Sequence, residues 1–391
     1  MPRFYLKTIG FLAVMLTSYS LNASGLISNF TGPRILIFAE DFNTKIQCKV
    51  LTGSYKLIAY TPDSIFEMDY GREDVHPTYT FDGDLRINKA EADSIKIIPS
   101  DTIVVRARKE ASGWTEERFY TGTLLLRNGL LYVDAIVQVP VRDYITGVCE
   151  AEGGLSAAQS YHEAQAVLAR TWLYTNLDKH NKEGYHIKDD QSSQAFRGVA
   201  HGKNKDIIAR AVERVGDTIA VYDGKPIIGF YHSNSGGKTV LPQHVWSQEL
   251  PYCREVTDPF AQKGTKFSWT KRIAFVDWQN YWLKQEVQFS VAQWRSFAEE
   301  RPVDRETYWT IEDKTFKLET VRRNFKLRST YFTMDVQNDY IELHGRGFGH
   351  GVGMAQEGAM YMAESGFDWR EILNFYFKQL EFVPVSELSK S

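Results

Sequence analysis

Between Ala157 and Asp178, the residues Ala164, Val167, Leu168, Thr171 and Trp172 fall at helical spacing, and Ala166, Ala169 and Leu173 line a neighbouring face. A helix that is small or apolar around so much of its circumference has to be covered on several sides. The chain must therefore build structure around it, with this helix as the centre of a core. At 391 residues, 43% of them hydrophobic and 14% aromatic, it has material for one large or two smaller domains, and disorder is excluded.

Covering elements are readable on both sides of the helix. From Pro33 to Val141 there are short β-rich runs: Ile35 to Ala39, Tyr55 to Tyr60, Ile95 to Ile98, Thr102 to Ala107, Thr123 to Arg127 and Leu130 to Val139. Asp82-Gly83-Asp84 is a turn signal, and Asn128-Gly129 predicts a two-residue hairpin. Beyond the central helix come a helical segment near Lys205 to Val215, a strand from Pro226 to Tyr231, and strands around Lys326 to Val336 and Tyr340 to His344. Two helices close the chain, Ala355 to Glu364 stopped by Gly366, and Asp368 to Phe377 opened by an Asp368/Glu371 capping box. Between them the charged segment Phe267 to Trp309 holds Trp269, Trp278, Trp282, Trp294 and Trp309 and reads largely as helix, its tryptophans as core. The fold class is α+β, a β-rich N-terminal part followed by a mixed domain with a buried central helix.

The N-terminus carries Arg3 and Lys7, an apolar run from Ile9 to Leu16, and an uncharged stretch to Ser24 with small residues at Ser18, Ser20 and Ala23. This is the pattern of a cleavable export signal, too short in its apolar run to span a bilayer. The expected location is periplasmic or cell-envelope associated. Removing residues 1–24 takes away two bases and no acid, which moves the formal charge from −3 to −5. Such a chain offers no surface for tracking nucleic-acid phosphates, so no nucleic-acid partner is expected. Cys48, Cys149 and Cys253 are too few and scattered for a disulfide framework and read as small buried residues. His232, His244, Cys253 and His350 lack metal-ligand spacing, so neither metal nor cofactor is expected.

Three segments could carry chemistry. Gly345 to Gly353 places glycine at every second position; if extended, it presents one face of bare backbone and Arg346, Phe348, His350 and Val352 on the other. That surface suits close packing of another segment or close approach of a polymeric ligand. Tyr144 to Gly154 holds Glu150 and Glu152, which share a face if the chain there is extended. Glycan chemistry needs a carboxylic acid still protonated near neutral pH, and burial is what raises a glutamate into that range. The loop His232 to Thr239 offers hydroxyls, an amide and flexible glycines, as a sugar-binding turn or an ordinary solvated one.

Taken together these segments resemble the SpoIID/LytB family. The matching stretches are Tyr120-Thr121-Gly122, Val141 to Glu152, Glu163 to Thr171, Gln194 to Gly198, Tyr231 to Thr239, and Gly345 to Ala359, in the family's order. The resemblance implies a peptidoglycan lytic transglycosylase that leaves anhydromuramic ends, with Glu152 as its catalytic acid/base. It adds Arg170, Gln194 and Gln356, polar members of matching motifs, to the substrate-binding candidates His232, Ser233, Ser235, Gly236 and Thr239 of the loop and His350 of the glycine run. Some relatives hold zinc with cysteine near the histidine-serine loop, where Ser233 and Ser235 supply no such ligand, so no metal is expected. The implied partners are peptidoglycan glycan strands and a cell-wall amidase, since the competing reading is a non-catalytic wall-binding amidase enhancer. A glycoside hydrolase pairing Glu150 with Glu152 is a third reading. The implied layout is a signal peptide at 1–24, a β-rich region at 25–119, and a SpoIID-like catalytic domain at 120–385 with a Trp-rich insertion near 260–320. One departure stands out: Gly153-Gly154 occupies the place of the family's methionine-proline pair.

Overall fold

The computed structural model describes residues 30–390 apart from 40–42, 88, 110–112, 155, 191, 204 and 247; the export-type segment 1–24 lies outside the described residues. Its architecture is α+β. One seven-stranded sheet runs in the order Ile187–Lys188, Arg34–Ile37, Val133–Gln138, Thr123–Asn128, Ser94–Pro99, Ser54–Tyr60, Ile65–Gly71. All its pairings are antiparallel except the first, where Ile35 lies beside Ile187. A second sheet is built around Asn43–Val50 and Ile103–Lys109. Strand alternation does what its period requires: Tyr55, Leu57 and Ala59 point into the core while Lys56 faces water.

The central helix is Gln159–Thr175, and twelve of its residues are buried, from Tyr161 through Thr171 and Leu173. Helices Val141–Glu152, Lys205–Arg214, Gln356–Glu364 and Trp369–Tyr376 and the strand Thr218–Tyr222 pack against it. One continuous apolar cluster runs from Ile35 through the central helix to Leu380. The sheet strands and the helices thus share a single core. The closing helices form as the sequence predicts: Asp368 accepts from the Glu371 N–H while Glu371 accepts from the Asp368 N–H, and Gly366 takes φ 93° at the stop before them.

The Trp-rich segment has a core of its own. Trp278, Trp282 and Trp294 are fully buried, with Trp269 and Trp309 nearly so, packed with Ile341 and Leu343. Burying one such ring contributes about 1.5–3 kcal/mol. None of these five rings is free to stack a sugar. The segment is also less helical than its sequence suggests. Helices Phe275–Leu283 and Val291–Glu299 are joined there by the strand Ser268–Ala274 and the hairpin Tyr308–Ile311/Lys314–Lys317.

Four local expectations are corrected. The Asn128-Gly129 hairpin forms, but its strands end at Asn128 and Val133 and Gly129 N–H bonds the Tyr132 carbonyl, so the connection is longer than two residues. The Pro226 to Tyr231 segment is not one strand; only Lys225–Pro226 and Tyr231–His232 pair, in different sheets. Glu150 and Glu152 lie on the Val141–Glu152 helix, where residues two apart point to different sides. The glycine run is extended only to Arg346; Gly347, Gly349, Gly351 and Gly353 all have positive φ, which turns the chain into a winding loop.

Candidate active site

Glu152 is the last residue of its helix, and its carboxylate lies where three separated segments meet. The Ala195 N–H donates to its Oε1 at 3.1 Å, from the loop after Gln194. The Tyr231 hydroxyl donates to the same carboxylate, from the strand that enters the histidine-serine loop. Gln356, at the start of its helix beyond the glycine run, reaches the Glu152 backbone carbonyl at 3.5 Å. Behind Tyr231 stands a buried relay: the Tyr144 hydroxyl donates to Gln194 Oε1 at 3.0 Å, and Gln194 Nε2 donates to the Tyr231 oxygen at 3.3 Å.

Electrostatics at this point run in two directions. Burial raises the Glu152 carboxyl above its ordinary 4.5, while the Ala195 N–H, the Tyr231 hydroxyl and the Arg197 guanidinium pull it back; burial wins. The carboxylate end of a helix adds to the rise, because the dipole there disfavours negative charge. Glu150 is placed otherwise: its carboxylate accepts the His201 N–H at 3.1 Å and the Gly202 N–H at 2.7 Å. Its oxygens are committed to that loop.

The helix exists in this position because of its glycines. A Cβ on Gly147 would lie 2.1 Å from the Gly198 carbonyl oxygen and 2.6 Å from the Phe196 ring, so only glycine lets the 194–198 loop approach and aim the Ala195 N–H. After Glu152, Gly153 and Gly154 take φ 105° and 77° and turn the chain away. A Cβ on Gly154 would meet Met360 and Tyr161 at 2.5 Å. The glycine pair thus fixes the turn tightly behind Glu152.

The other expected residues divide into two groups. Gln194 and Gln356 touch the Glu152 surroundings directly, as above. His350 donates from Nε2 to the Tyr231 carbonyl at 3.0 Å and accepts the Val352 N–H at Nδ1, so both nitrogens brace the loop that carries Tyr231. His232 bonds the Val352 carbonyl through Nδ1, its ring 5.4 Å from that of His350. Ser233 is half-buried, its carbonyl accepting the Glu357 N–H. Arg170, Ser235 and Thr239 are buried and hold the framework: Arg170 donates to the Thr218 carbonyl, Ser235 to Asp258 at 2.9 Å, and Thr239 to the Arg254 carbonyl. Gly236, at φ 72°, lets the Arg346 backbone approach its α-carbon.

Sequence reasoning missed Tyr231 and Tyr144 as site residues, although both stand inside stretches that carry the resemblance. It also missed Trp246, which is 43% exposed, stacks on Phe230 at 4.6 Å and lies 4.9 Å from the His350 ring. An exposed indole beside the loop is a surface on which a sugar face can rest.

Four buried or half-buried histidines, at the site and elsewhere in the fold, make a pH prediction. Burial holds His232 well below its ordinary 6.5, His350 down to about 3, and His162 and His186 down to about 4. Below 6.5 the unfolded chain binds protons that the folded one refuses, so their contribution is intact above 6.5 and is lost as pH falls from there toward about 4. The raised carboxyls of Glu152, Asp258 and Glu306 act oppositely but are fewer. Thermal unfolding at about pH 5 is expected to give a lower Tm than at about pH 7; an unchanged or higher Tm contradicts the neutral burial of these rings.

The SpoIID family model, described as stage II sporulation protein, matches residues 132–222, the segment that holds Glu152, Arg170 and Gln194. Over that segment the chain is similar to the SpoIID family. Stage II sporulation protein D of Bacillus amyloliquefaciens is 27% identical over 261 residues, 63% of this chain and 75% of that protein. The protein of the same name from Bacillus subtilis is 27% identical over 258 residues, 62% of this chain and 74% of its own. An amidase enhancer of Bacillus subtilis is 25% identical over 273 residues, 55% of this chain and 37% of that protein. The SpoIID match ends before the loop at Tyr231 and the glycine run, yet the fold brings Tyr231 to Glu152 and His350 of the glycine run to the Tyr231 carbonyl. Among the described residues no helix is long and apolar enough to cross a membrane.

Proposed function

We propose that this protein is a cell-envelope lytic transglycosylase that cuts peptidoglycan glycan strands and leaves anhydromuramic ends. The observation that carries the reading is Glu152: its carboxyl is raised by burial and faces the Ala195 N–H and the Tyr231 hydroxyl, and Gln356 reaches its backbone carbonyl. In the proposed reaction Glu152 gives its proton to the bridging oxygen as the bond from C1 to that oxygen breaks. Its carboxylate then takes the proton of the muramoyl C6 hydroxyl as that oxygen bonds C1. Glu152 ends protonated as it began, and no water is consumed. A hydrolase needs a second carboxylate to activate water or attack the sugar; Glu150, engaged by two backbone N–H groups, is poorly suited to supply it.

Product analysis tests the proposal. Purified glycan strands are incubated with the protein and examined by mass spectrometry. Anhydro ends are expected; reducing ends indicate hydrolysis, and uncut strands favour the binding role suggested by the relative named an amidase enhancer. The hydroxyl of Tyr231 offers a finer test. It stabilises the charged carboxylate and so lowers the Glu152 pKa; Tyr231→Phe is expected to raise it. Since the acid must be protonated to act, the alkaline limb of kcat/KM should move to higher pH. A limb that stays put or moves down removes Tyr231 from the site.

A further inference from the structure

Against the histidine-serine loop, the winding glycine loop gathers positive charge that no acid among the described residues pairs. Phe348, 37% exposed, is locked to the histidine-serine loop by a two-way backbone bridge with Asn234, two residues before His350. Lys266 Nζ and the Arg328 guanidinium each lie 5.7 Å from the centre of its ring. Arg346 lies 5.7 Å from the ring centre of Tyr331, and its backbone N–H bonds the Tyr331 carbonyl. The aromatic rings hold the three cations in place by attraction to their faces, without cancelling their charge.

The contrast with nearby cations is plain. Lys238 is paired with Glu255 and Asp304, Arg301 with Glu306, and Arg322 with Glu319. Among the described residues no ion pair engages Lys266, Arg328 or Arg346. The Glu357 carboxylate, which reaches this segment, is occupied by the Lys266 N–H, the Thr265 hydroxyl and the Asn234 amide. Arg328 and Arg346 are exposed and Lys266 half-buried, in a chain whose overall formal charge is −3. Three unpaired cations fixed on aromatic faces are built to receive anions, and guanidinium groups suit carboxylates in particular.

We infer that Lys266, Arg328, Arg346 and Phe348 form a carboxylate-reading subsite that holds an acidic glycan strand next to the reacting bond. The inference rests on the proposed glycan substrate and specifies what in it is recognised: the negative groups along the strand. These come from the lactyl carboxylates of muramic acid or from the carboxylates of attached peptides.

The test is a binding titration of the full chain in the Glu152→Gln background, where no strand is to be cut. The parent is compared with the Lys266→Gln/Arg328→Gln/Arg346→Gln variant, on native strands and on strands whose carboxyls are capped as methylamides. Capping is expected to weaken the parent by about tenfold or more and to leave the variant unchanged, since its charges are already gone. An Arg328→Lys/Arg346→Lys variant should keep most of the parent's response. Strands freed of peptide, run alongside, identify the lactyl group if the effect persists on them and the stem peptides if it vanishes. Capping that weakens parent and variant alike, or neither, overturns the subsite and leaves the proposed reaction standing. A parent that binds no strand at all removes both.

Discussion

Glu152→Gln is expected to lower glycan cleavage by about 10²- to 10⁴-fold, the range ascribed to a positioned general acid, while strand binding persists. Glutamine keeps the size of the side chain and can still accept the Ala195 N–H, so the fold has no reason to change. What it cannot do is donate a proton to the bridging oxygen or receive one from the C6 hydroxyl. Cleavage followed by release of soluble fragments, together with a pull-down on insoluble wall, separates the two effects. Cleavage at the parental rate would remove Glu152 from the chemistry, and loss of binding along with cleavage would assign it to holding the strand.

The second large effect is expected away from any charged group. Gly147→Val places branched carbon against the Gly198 carbonyl and the Phe196 ring, where even a Cβ has no room. A backbone carbonyl cannot swing aside, so the helix and the 194–198 loop must separate. Overpacking of this kind costs about 3 kcal/mol, and the same displacement withdraws the Ala195 N–H from Glu152. A Tm lowered by several degrees and a loss of cleavage beyond what the unfolded fraction explains are expected in calorimetry and fragment-release assays. A variant with parental Tm would show that the loop does not depend on this contact.

How much of this was readable in the sequence depended on whether the deciding contacts were local. The central helix declared itself, because alanine and valine at 164, 166, 167 and 169 leave no polar face to expose. The Ser54–Tyr60 strand showed itself by alternation and the last helix by its capping box. The Ile65–Gly71 strand did not: it is an edge strand with Ile65 and Phe66 exposed, so its pattern carries no inward face. The helix ending at Glu152 was obscured by Gly147, which reads as a helix breaker and is there for a contact with residues 196 and 198. In the glycine run, period-two spacing imitates a strand, but what glycine supplies at 347 to 353 is positive φ. The candidate site was readable as motifs and not as geometry. Glu152, Gln194 and Gln356 follow from the resemblance and His350 from the glycine run, whereas Tyr231 meets Glu152 through a contact that only folding creates.

The account depends most on the protonation of one side chain, and a direct titration of Glu152 tests it. Carboxyl-selective ¹³C labelling of glutamate, with the Glu152→Gln protein used to assign the signal, gives the midpoint for that group alone. A midpoint above the ordinary 4.5 is predicted, because burial outweighs the donors that face it. A midpoint at or below 4.5 would mean that the carboxyl has lost its proton before neutral pH is approached, and the acid role assigned to it would fail.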